Sequence, residues 1–200
     1  MTVLQPSEYD MSYFDGKLGS LQHNAGFSEY KRWYRYDGIN SSGEFWTDKA
    51  AGWINHLALS GKKVLELGCA KGFIVEELRN AGVDAYGMDV SQYAISCASD
   101  VIKPYLYLGD VRTDLTRFSD REFDILISFR LMECIDDSEV DNLITSMSRI
   151  ARKQVHIISV GSSLNQTYYN FKTLNTWLTY SWPRGTVLAP YNNELNYITK

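Results

Sequence analysis

From Gly61 onward, short apolar runs alternate along the chain with segments whose hydrophobic residues recur at helical spacing. The apolar runs are typical of strands and include KVLEL, DAYGMDV, YLYLGD, FDILISF and QVHIISV. Runs such as DILIS are apolar on both faces, as expected for parallel strands that helices cover on both sides. The alternation therefore predicts an α/β fold with a doubly wound, mostly parallel sheet.

Two helices show where they begin and end. Asp136, Asp137 and Ser138 supply capping oxygens and negative charge before one apolar stripe, and basic residues that complement the helix dipole follow it. The stripe is Val140, Leu143, Ile144, Met147 and Ile150, and the basic residues are Arg149, Arg152 and Lys153. In the second helix, Ser41 and Glu44 have capping-box spacing, apolar positions continue to Leu57, and Gly61 ends it. We expect this second helix to pack against the sheet edge.

The first 60 residues are crowded with aromatic side chains and lack strand alternation. They predict a helical lid rather than a separate domain, because they contain too few aliphatic residues for a core. The chain is thus expected to be one domain, with a lid over 1–60, a core over 61–160 and a closing segment over 161–200. Within the last part, TYYNFKTLNTWLTYSW is a candidate helix and the tail a candidate strand pair.

Strand one runs into a glycine-containing turn that opens a helix, in the stretch KVLELGCAKG. Gly68 and Gly72 allow unusual backbone angles and close approach to a ligand, and Ile74, Val75 and Leu78 continue at helical spacing. The amide groups of a helix N-terminus favour an anion. The turn is therefore a candidate site for a carboxylate or phosphate.

Acidic residues stand at the carboxyl ends of the next two strands, where open α/β sheets bind their ligands. Asp89 ends strand two and Asp110 ends strand three. Each also has a purely structural interpretation, since Asp89 could cap the helix after Ser91 and Asp110 could stabilise the turn GDVRTDL.

Composition excludes several classes of protein. The net charge is -4, the pI is about 5.4 and Lys and Arg form no cluster, which argues against a nucleic-acid binder. The chain shows neither a signal peptide nor an apolar run of roughly 20 residues, so a soluble cytoplasmic protein is expected. The three cysteines, Cys69, Cys97 and Cys134, are too far apart for CxxC pairing, so neither a disulfide framework nor a metal site is expected.

Glu66, Gly68, Ala70 and Gly72 form the spacing E-x-G-x-A-x-G, which resembles motif I of the class I S-adenosylmethionine-dependent methyltransferases of the type 11-like group. The resemblance implies a Rossmann-like fold and S-adenosylmethionine as cofactor. The dinucleotide fingerprint G-x-G-x-x-G fits less well, because Ala70 and Phe73 stand at its second and third glycines.

The resemblance also implies roles at the later strand ends. Asp89 would accept hydrogen bonds from the ribose hydroxyls, Asp110 and the Val111 amide would contact adenine, and the strand-four exit would wall the cofactor. The implied cofactor contacts are Glu66, Gly68, Cys69, Ala70, Gly72, Asp89, Val90, Asp110, Val111, Ser128, Phe129 and Leu131. Met132, Glu133 and Cys134 stand where many members carry Leu-Glu-His, so one possible general base is missing.

The acceptor side is less defined. His23, Tyr34 and Tyr168 are candidate substrate contacts, no catalytic base is assigned, and His56 and His156 are expected to be structural. The sequence thus predicts methyl transfer to a small-molecule or sugar-like acceptor. Two alternatives stay open: a non-catalytic module of the same fold within an assembly, and a nicotinamide-dependent oxidoreductase.

Overall fold

The computed structural model describes residues 4–15, 44–158, 174–190 and 198–199. The helices are α1 (Met11–Asp15), α2 (Glu44–His56), α3 (Phe73–Asn80), α4 (Gln92–Ser96), α5 (Asp137–Ile150) and α6 (Leu174–Trp177). The strands are β1 (Lys63–Leu67), β2 (Asp84–Asp89), β3 (Leu106–Leu108), β4 (Phe123–Phe129), β5 (Ala151–Ile158), β6 (Val187–Pro190) and β7 (Ile198–Thr199). Short 3-10 turns cover Pro6–Glu8, Lys103–Tyr105, Asp114–Arg117 and Met132–Cys134.

The strands form one seven-stranded sheet in the order β3-β2-β1-β4-β5-β6-β7. Strands β1 to β6 run parallel, and β7 pairs antiparallel with β6. The predicted doubly wound, mostly parallel fold is therefore confirmed, and β6 with β7 provides the strand pair predicted for the tail. Because the order reverses between β1 and β4, a topological switch point lies at the carboxyl ends of these two strands.

Alternating side chains of the central strands fill two cores, one on each face of the sheet. Val64 of β1 lies beside Ile125 of β4, and both belong to the core that α2 and α3 cover. Their neighbours Leu65 and Leu126 point to the other face, into the core that α5 covers. Burial on both faces explains why these strands are continuous apolar runs in the sequence.

Helix α2 is confirmed, but the prediction that it packs against the sheet edge is wrong. Ala50 and Trp53 are buried beside α3, in the core that also contains Val155 and Ile157 of β5. Trp53 also packs against Phe129 of β4, a central strand, with ring centroids 6.1 Å apart, so the helix lies on a face of the sheet. His56, which the sequence predicts to be a packed structural histidine, is exposed at the end of this helix.

Helix α5 begins as predicted. The Asp136 carboxylate accepts a hydrogen bond from the Ser138 backbone N–H at 2.9 Å, which caps the first turn. The predicted apolar stripe is buried in full: Val140, Leu143, Ile144, Met147 and Ile150.

The end of α5 differs from the prediction. The helix stops at Ile150, because Ala151 already pairs with Phe123 as the first residue of β5. Arg152 and Lys153 therefore lie in the strand and do not complement the helix dipole.

Helix α6 falls within the predicted segment TYYNFKTLNTWLTYSW, of which residues 167–173 lie outside the described part of the chain. None of the described helices is long and apolar enough to cross a bilayer. Within the same residues, His, Cys, Asp and Glu side chains form no group of three or more suited to a metal ion.

Candidate functional site

The turn between β1 and α3 lies at the switch point of the sheet. The backbone N–H groups of Gly68 and Cys69 both donate to the Met88 carbonyl oxygen, at 2.8 and 3.1 Å, which ties the turn to β2. Gly68, Ala70 and Gly72 all have positive φ angles, of 75°, 50° and 74°. The turn therefore has the tightly curved backbone that its glycine pattern predicts.

The two glycines are required for different reasons. A Cβ atom at Gly68 would lie 3.3 Å from the Leu131 side chain, which comes from the loop after β4. At Gly72, a Cβ would lie 2.7 Å from Ile102 and 2.9 Å from Leu106. Gly72 thus permits close packing of α3 against neighbouring protein, where the sequence had suggested room for a ligand. Gly72 is also the N-cap of α3 and offers no capping side chain.

Glu66 is the penultimate residue of β1 and is only 3 % exposed. Its Oε2 atom has no hydrogen-bond partner among the described residues. Burial, and then the charge of Asp89, raise the pKa of Glu66 well above its ordinary value. A buried carboxylate oxygen without a partner is costly, and a bound cation or N–H donor would remove that cost.

Asp89 organises the same turn from the end of β2. Its Oδ2 accepts from the Ala70 backbone N–H at 2.7 Å, and its Oδ1 accepts from the Ser91 N–H at 2.8 Å. Burial raises the pKa of Asp89 to about 6, although N–H groups of Ser91, Ala70 and Val90 oppose the shift. Ser91, not Asp89, caps helix α4, by accepting from the Ala94 N–H.

Asp110 is held by an arginine that the sequence analysis did not single out. The Arg112 guanidinium donates to both carboxylate oxygens, with distances of 2.6 to 3.1 Å, and its backbone N–H adds a bond of 2.9 Å. Burial would raise the pKa of Asp110, but the hydrogen bonds and charge of Arg112 outweigh it and lower the pKa. Asp110 therefore does stabilise its own turn, and it remains ionised beside the end of β3.

Val111, the next residue, contributes its side chain to the core under α5, so only its backbone is available to a ligand. The three residues predicted at the β4 exit point in different directions. Leu131 lies against Gly68, and Phe129 packs against Trp53 with ring centroids 6.1 Å apart. Ser128 is fully buried, and its Oγ lies 2.8 Å from His156 Nδ1.

His156 is part of a buried hydrogen-bond chain and is structural, as predicted. The Gln154 amide donates to Ser148 Oγ at 2.9 Å, which leaves its oxygen to accept from His156 Nε2 at 3.1 Å. His156 Nδ1 is then the acceptor, so the Ser128 hydroxyl donates to it. Burial lowers the pKa of His156 to about 3.

Tyr9 reaches this site from the N-terminal segment, and sequence reasoning did not identify it. Its carbonyl oxygen accepts a hydrogen bond from Ser91 Oγ, across 82 residues of sequence. No local motif marks a contact over that separation. The candidate substrate contacts His23, Tyr34 and Tyr168 lie outside the described residues.

The structure thus brings together the turn over 68–72, Glu66, Asp89, Asp110 and Leu131 at one end of the sheet. The orphan oxygen of Glu66, the uncapped N-terminus of α3 and the two further acids suit a ligand with cationic, anionic and hydroxyl groups.

Residues 64–154 match the family model of a methyltransferase domain. Among curated proteins, the chain is similar to a ubiquinone biosynthesis O-methyltransferase of Methylococcus capsulatus, 26% identical over 101 residues that cover 48% of this chain and 42% of that protein. A protein of the same name from Aromatoleum aromaticum is 25% identical over 150 residues, or 70% of this chain and 59% of that protein. The chain thus spans less than two thirds of the length of either relative.

Solved structures share the fold. A SAM dependent methyltransferase from Archaeoglobus fulgidus superposes with a TM-score of 0.57 at 16% identity, covering 76% of this chain and 71% of that one. An S-adenosylmethionine-dependent methyltransferase from Clostridium acetobutylicum superposes with a TM-score of 0.51 at 20% identity, covering 68% of this chain and 57% of that one.

Proposed function

Because the chain carries a class I S-adenosylmethionine-dependent methyltransferase domain, with S-adenosylmethionine as cofactor, we propose that it is an enzyme that methylates a small-molecule or sugar-like acceptor. The observation that carries this proposal is the set of acids at the ends of β1, β2 and β3 around the turn over 68–72. In particular, Glu66 Oε2 is buried without a hydrogen-bond partner among the described residues.

Each part of the cofactor has a complementary group in this set. We assign Glu66 to the methionine ammonium group, because a cation is the partner that its buried oxygen lacks. The N-terminus of α3 suits the methionine carboxylate. Asp89 suits the two ribose hydroxyls, and Asp110, held by Arg112, suits the adenine amine.

The bound cofactor supplies an electrophilic methyl group on a sulfonium. The residues around it then have to align an acceptor atom with that methyl group and to exclude water. Tyr9 and Cys134 stay protonated at neutral pH, because burial raises the pKa of Tyr9 and raises that of Cys134 to about 12. In this proposal both are hydrogen-bond donors and neither is a general base.

A hydroxyl acceptor is supported by the name of the curated relatives, which are O-methyltransferases. A small acceptor is supported by the net charge of -4, which disfavours nucleic acid as a substrate.

Calorimetry tests the cofactor. The protein is titrated with S-adenosylmethionine, S-adenosylhomocysteine and NADH, and we expect binding of the first two alone. Binding of NADH without either sulfur-containing ligand would overturn the proposal in favour of an oxidoreductase.

Replacement of Asp89 by alanine tests the ribose assignment. Asp89→Ala should weaken S-adenosylhomocysteine binding by about 1 to 3 kcal/mol, because the ribose hydroxyls lose a charged acceptor. Asp120→Ala is the matched control. Asp120 is an exposed acid that pairs with Arg149, and it precedes β4, so it lies near the amino ends of the parallel strands, away from the turn over 68–72. Equal affinities for Asp89→Ala and wild type would show that the ribose lies elsewhere.

Incubation of metabolite pools with isotopically labelled methyl donor, followed by mass spectrometry, tests the activity. A labelled small molecule would identify the acceptor. Cofactor binding with no labelled product in any pool would favour the non-catalytic module.

A further inference from the structure

The N-terminal segment over 4–15 is fastened directly beside Asp89. Ser91 Oγ donates to the Tyr9 carbonyl oxygen, and the Ser91 N–H donates to Asp89. The Asp10 carboxylate then accepts from the N–H groups of Ser12 and Tyr13, at 2.8 and 3.2 Å, and so starts α1. The segment is therefore anchored at the end of β2 by a specific hydrogen bond.

Aromatic packing holds the same segment on the turn over 68–72. Tyr13 and Phe14 are buried in a cluster with Ala70 of that turn and Ala94 of α4. The Tyr9 ring packs edge-on against Tyr13, with centroids 4.8 Å apart. These contacts fix the direction in which the Tyr9 side chain leaves the backbone.

The Tyr9 hydroxyl lies where the carboxyl ends of β2, β3 and β4 converge. Its O–H donates to the Cys134 sulfur, in the 3-10 turn after β4, because the Cys134 thiol itself donates to the Arg130 carbonyl oxygen. The charges of Asp89 and Arg112 also act on this hydroxyl. Burial is the largest of the influences that raise the pKa of Tyr9, so the hydroxyl keeps its proton.

We propose that Tyr9 belongs to the cofactor site and that its hydroxyl binds the nucleoside half of S-adenosylmethionine between Asp89 and Arg112. The inference rests on the proposed function. A phenol has one donor and two lone pairs, so while the Tyr9 O–H donates to the Cys134 sulfur, the Tyr9 oxygen can accept from a ribose hydroxyl or the adenine amine. Residues 4–15 then form a wall of the nucleoside site.

The test compares two ligands in the full chain. S-adenosylhomocysteine contains both the nucleoside and the amino acid half of the cofactor. 5′-Methylthioadenosine contains the nucleoside but no amino acid. Tyr9→Phe keeps the ring that packs on Tyr13 and removes the hydroxyl. We expect the dissociation constants of both ligands to rise by the same factor, about 3- to 10-fold, as for one lost hydrogen bond.

Tyr105→Phe is the matched control. Tyr105 precedes β3, and its ring packs against the Arg79 guanidinium. Removal of its hydroxyl should leave the affinities for both ligands unchanged. Thermal unfolding checks that Tyr9→Phe folds, and the turnover number at saturating cofactor should change less than the KM for S-adenosylmethionine.

Two results would overturn the inference while the proposed function stands. In the first, Tyr9→Phe binds both ligands as wild type does. In the second, it loses affinity for S-adenosylhomocysteine alone, which would place Tyr9 at the amino acid half. A wild-type protein that binds neither ligand would overturn the proposed function itself, and this inference with it.

Discussion

Glu66 and Asp89 are two buried carboxyl groups on adjacent parallel strands, and burial, followed by the charge of Asp89, raises the pKa of Glu66. Neighbouring like charges oppose each other's ionisation. The pKa of Asp89 is raised to about 6, so the free protein binds a proton there more readily than an unfolded chain does. A cationic ligand group would reduce this repulsion.

The raised pKa of Asp89 predicts how cofactor binding depends on pH. Ionised Asp89 is the better acceptor for ribose hydroxyls, so affinity for S-adenosylhomocysteine should be full above pH 7 and fall as the pH drops through about 6. For one proton the limiting slope is about tenfold per pH unit. Calorimetry between pH 5 and 8 measures it, and Asp89→Asn should be weaker overall with a flatter profile. A steep profile retained in Asp89→Asn would assign the titration to another group.

The lowered pKa of His156 predicts that the stability of the fold depends on pH. Its pKa is lowered by burial to about 3 in the folded protein, against about 6.5 in an unfolded chain. The unfolded state therefore binds the proton first, and stability is complete above pH 6.5 and falls as the pH drops toward 3. At pH 5 the loss attributable to His156 is about 2 kcal/mol.

Urea unfolding at pH 7.5 and pH 5 checks this, with His156→Gln as the comparison. The glutamine variant loses stability at both pH values if it disturbs the Ser128 and Gln154 bonds. The decisive quantity is the change in the free energy of unfolding between pH 7.5 and pH 5. This change should be smaller by about 2 kcal/mol in the variant. An equal difference in both proteins would contradict the prediction.

At the scale of elements, the junction of β1 and α3 combines backbone curvature with close packing. Gly72 has a φ of 74°, and a Cβ there would also collide with Ile102 and Leu106. Gly82 follows the end of the same helix and has a φ of 82°, but nothing lies within 4 Å of its added Cβ. Alanine substitutions at the two positions therefore distinguish the energetic cost of the backbone conformation from the cost of overpacking.

We expect Gly82→Ala to destabilise the fold by about 1 to 2 kcal/mol, from the positive φ alone. Gly72→Ala should lower the free energy of unfolding by about 2 to 5 kcal/mol, because the collision with two buried side chains adds to the strain of the positive φ. Urea unfolding at neutral pH measures both. Equal losses would mean that Ile102 and Leu106 move aside at little cost.

Elements were the scale at which sequence patterns were most informative. Periodicity is strong in strands β1, β2 and β4 and in helices α2 and α5, and the structure has these elements at the predicted places. The predicted cap of α2 at Ser41 lies outside the described residues. The end of α5 was placed too late, because pairing of Ala151 with Phe123 overrides local helix propensity. The position of α2 was wrong for a similar reason, since a periodic stripe reports that a helix is buried but not against which surface.

At the scale of the whole molecule, the reversal of strand order between β1 and β4 determines where the candidate site lies. It separates the helices that follow β1 and β4 and opens the carboxyl ends of the strands to a ligand. Glu66 and Asp89 lie in β1 and β2, whereas Asp110, predicted to end strand three, lies two residues beyond Leu108, where β3 ends. The parallel pairing of these three strands brings their carboxyl ends to the same end of the sheet.

By itself, the sequence determined the alternation of strands and helices, the curved turn over 68–72 and the acids at the strand ends. Each of these features is encoded within a few residues of sequence, by hydrophobic periodicity, by the glycines of the turn, or by an acid that follows an apolar run. The tertiary structure alone decided the contacts between distant segments, because nothing local encodes them. Ser91 holding Tyr9, Ser128 donating to His156 and α2 lying over the sheet all join residues that only the folded chain brings together.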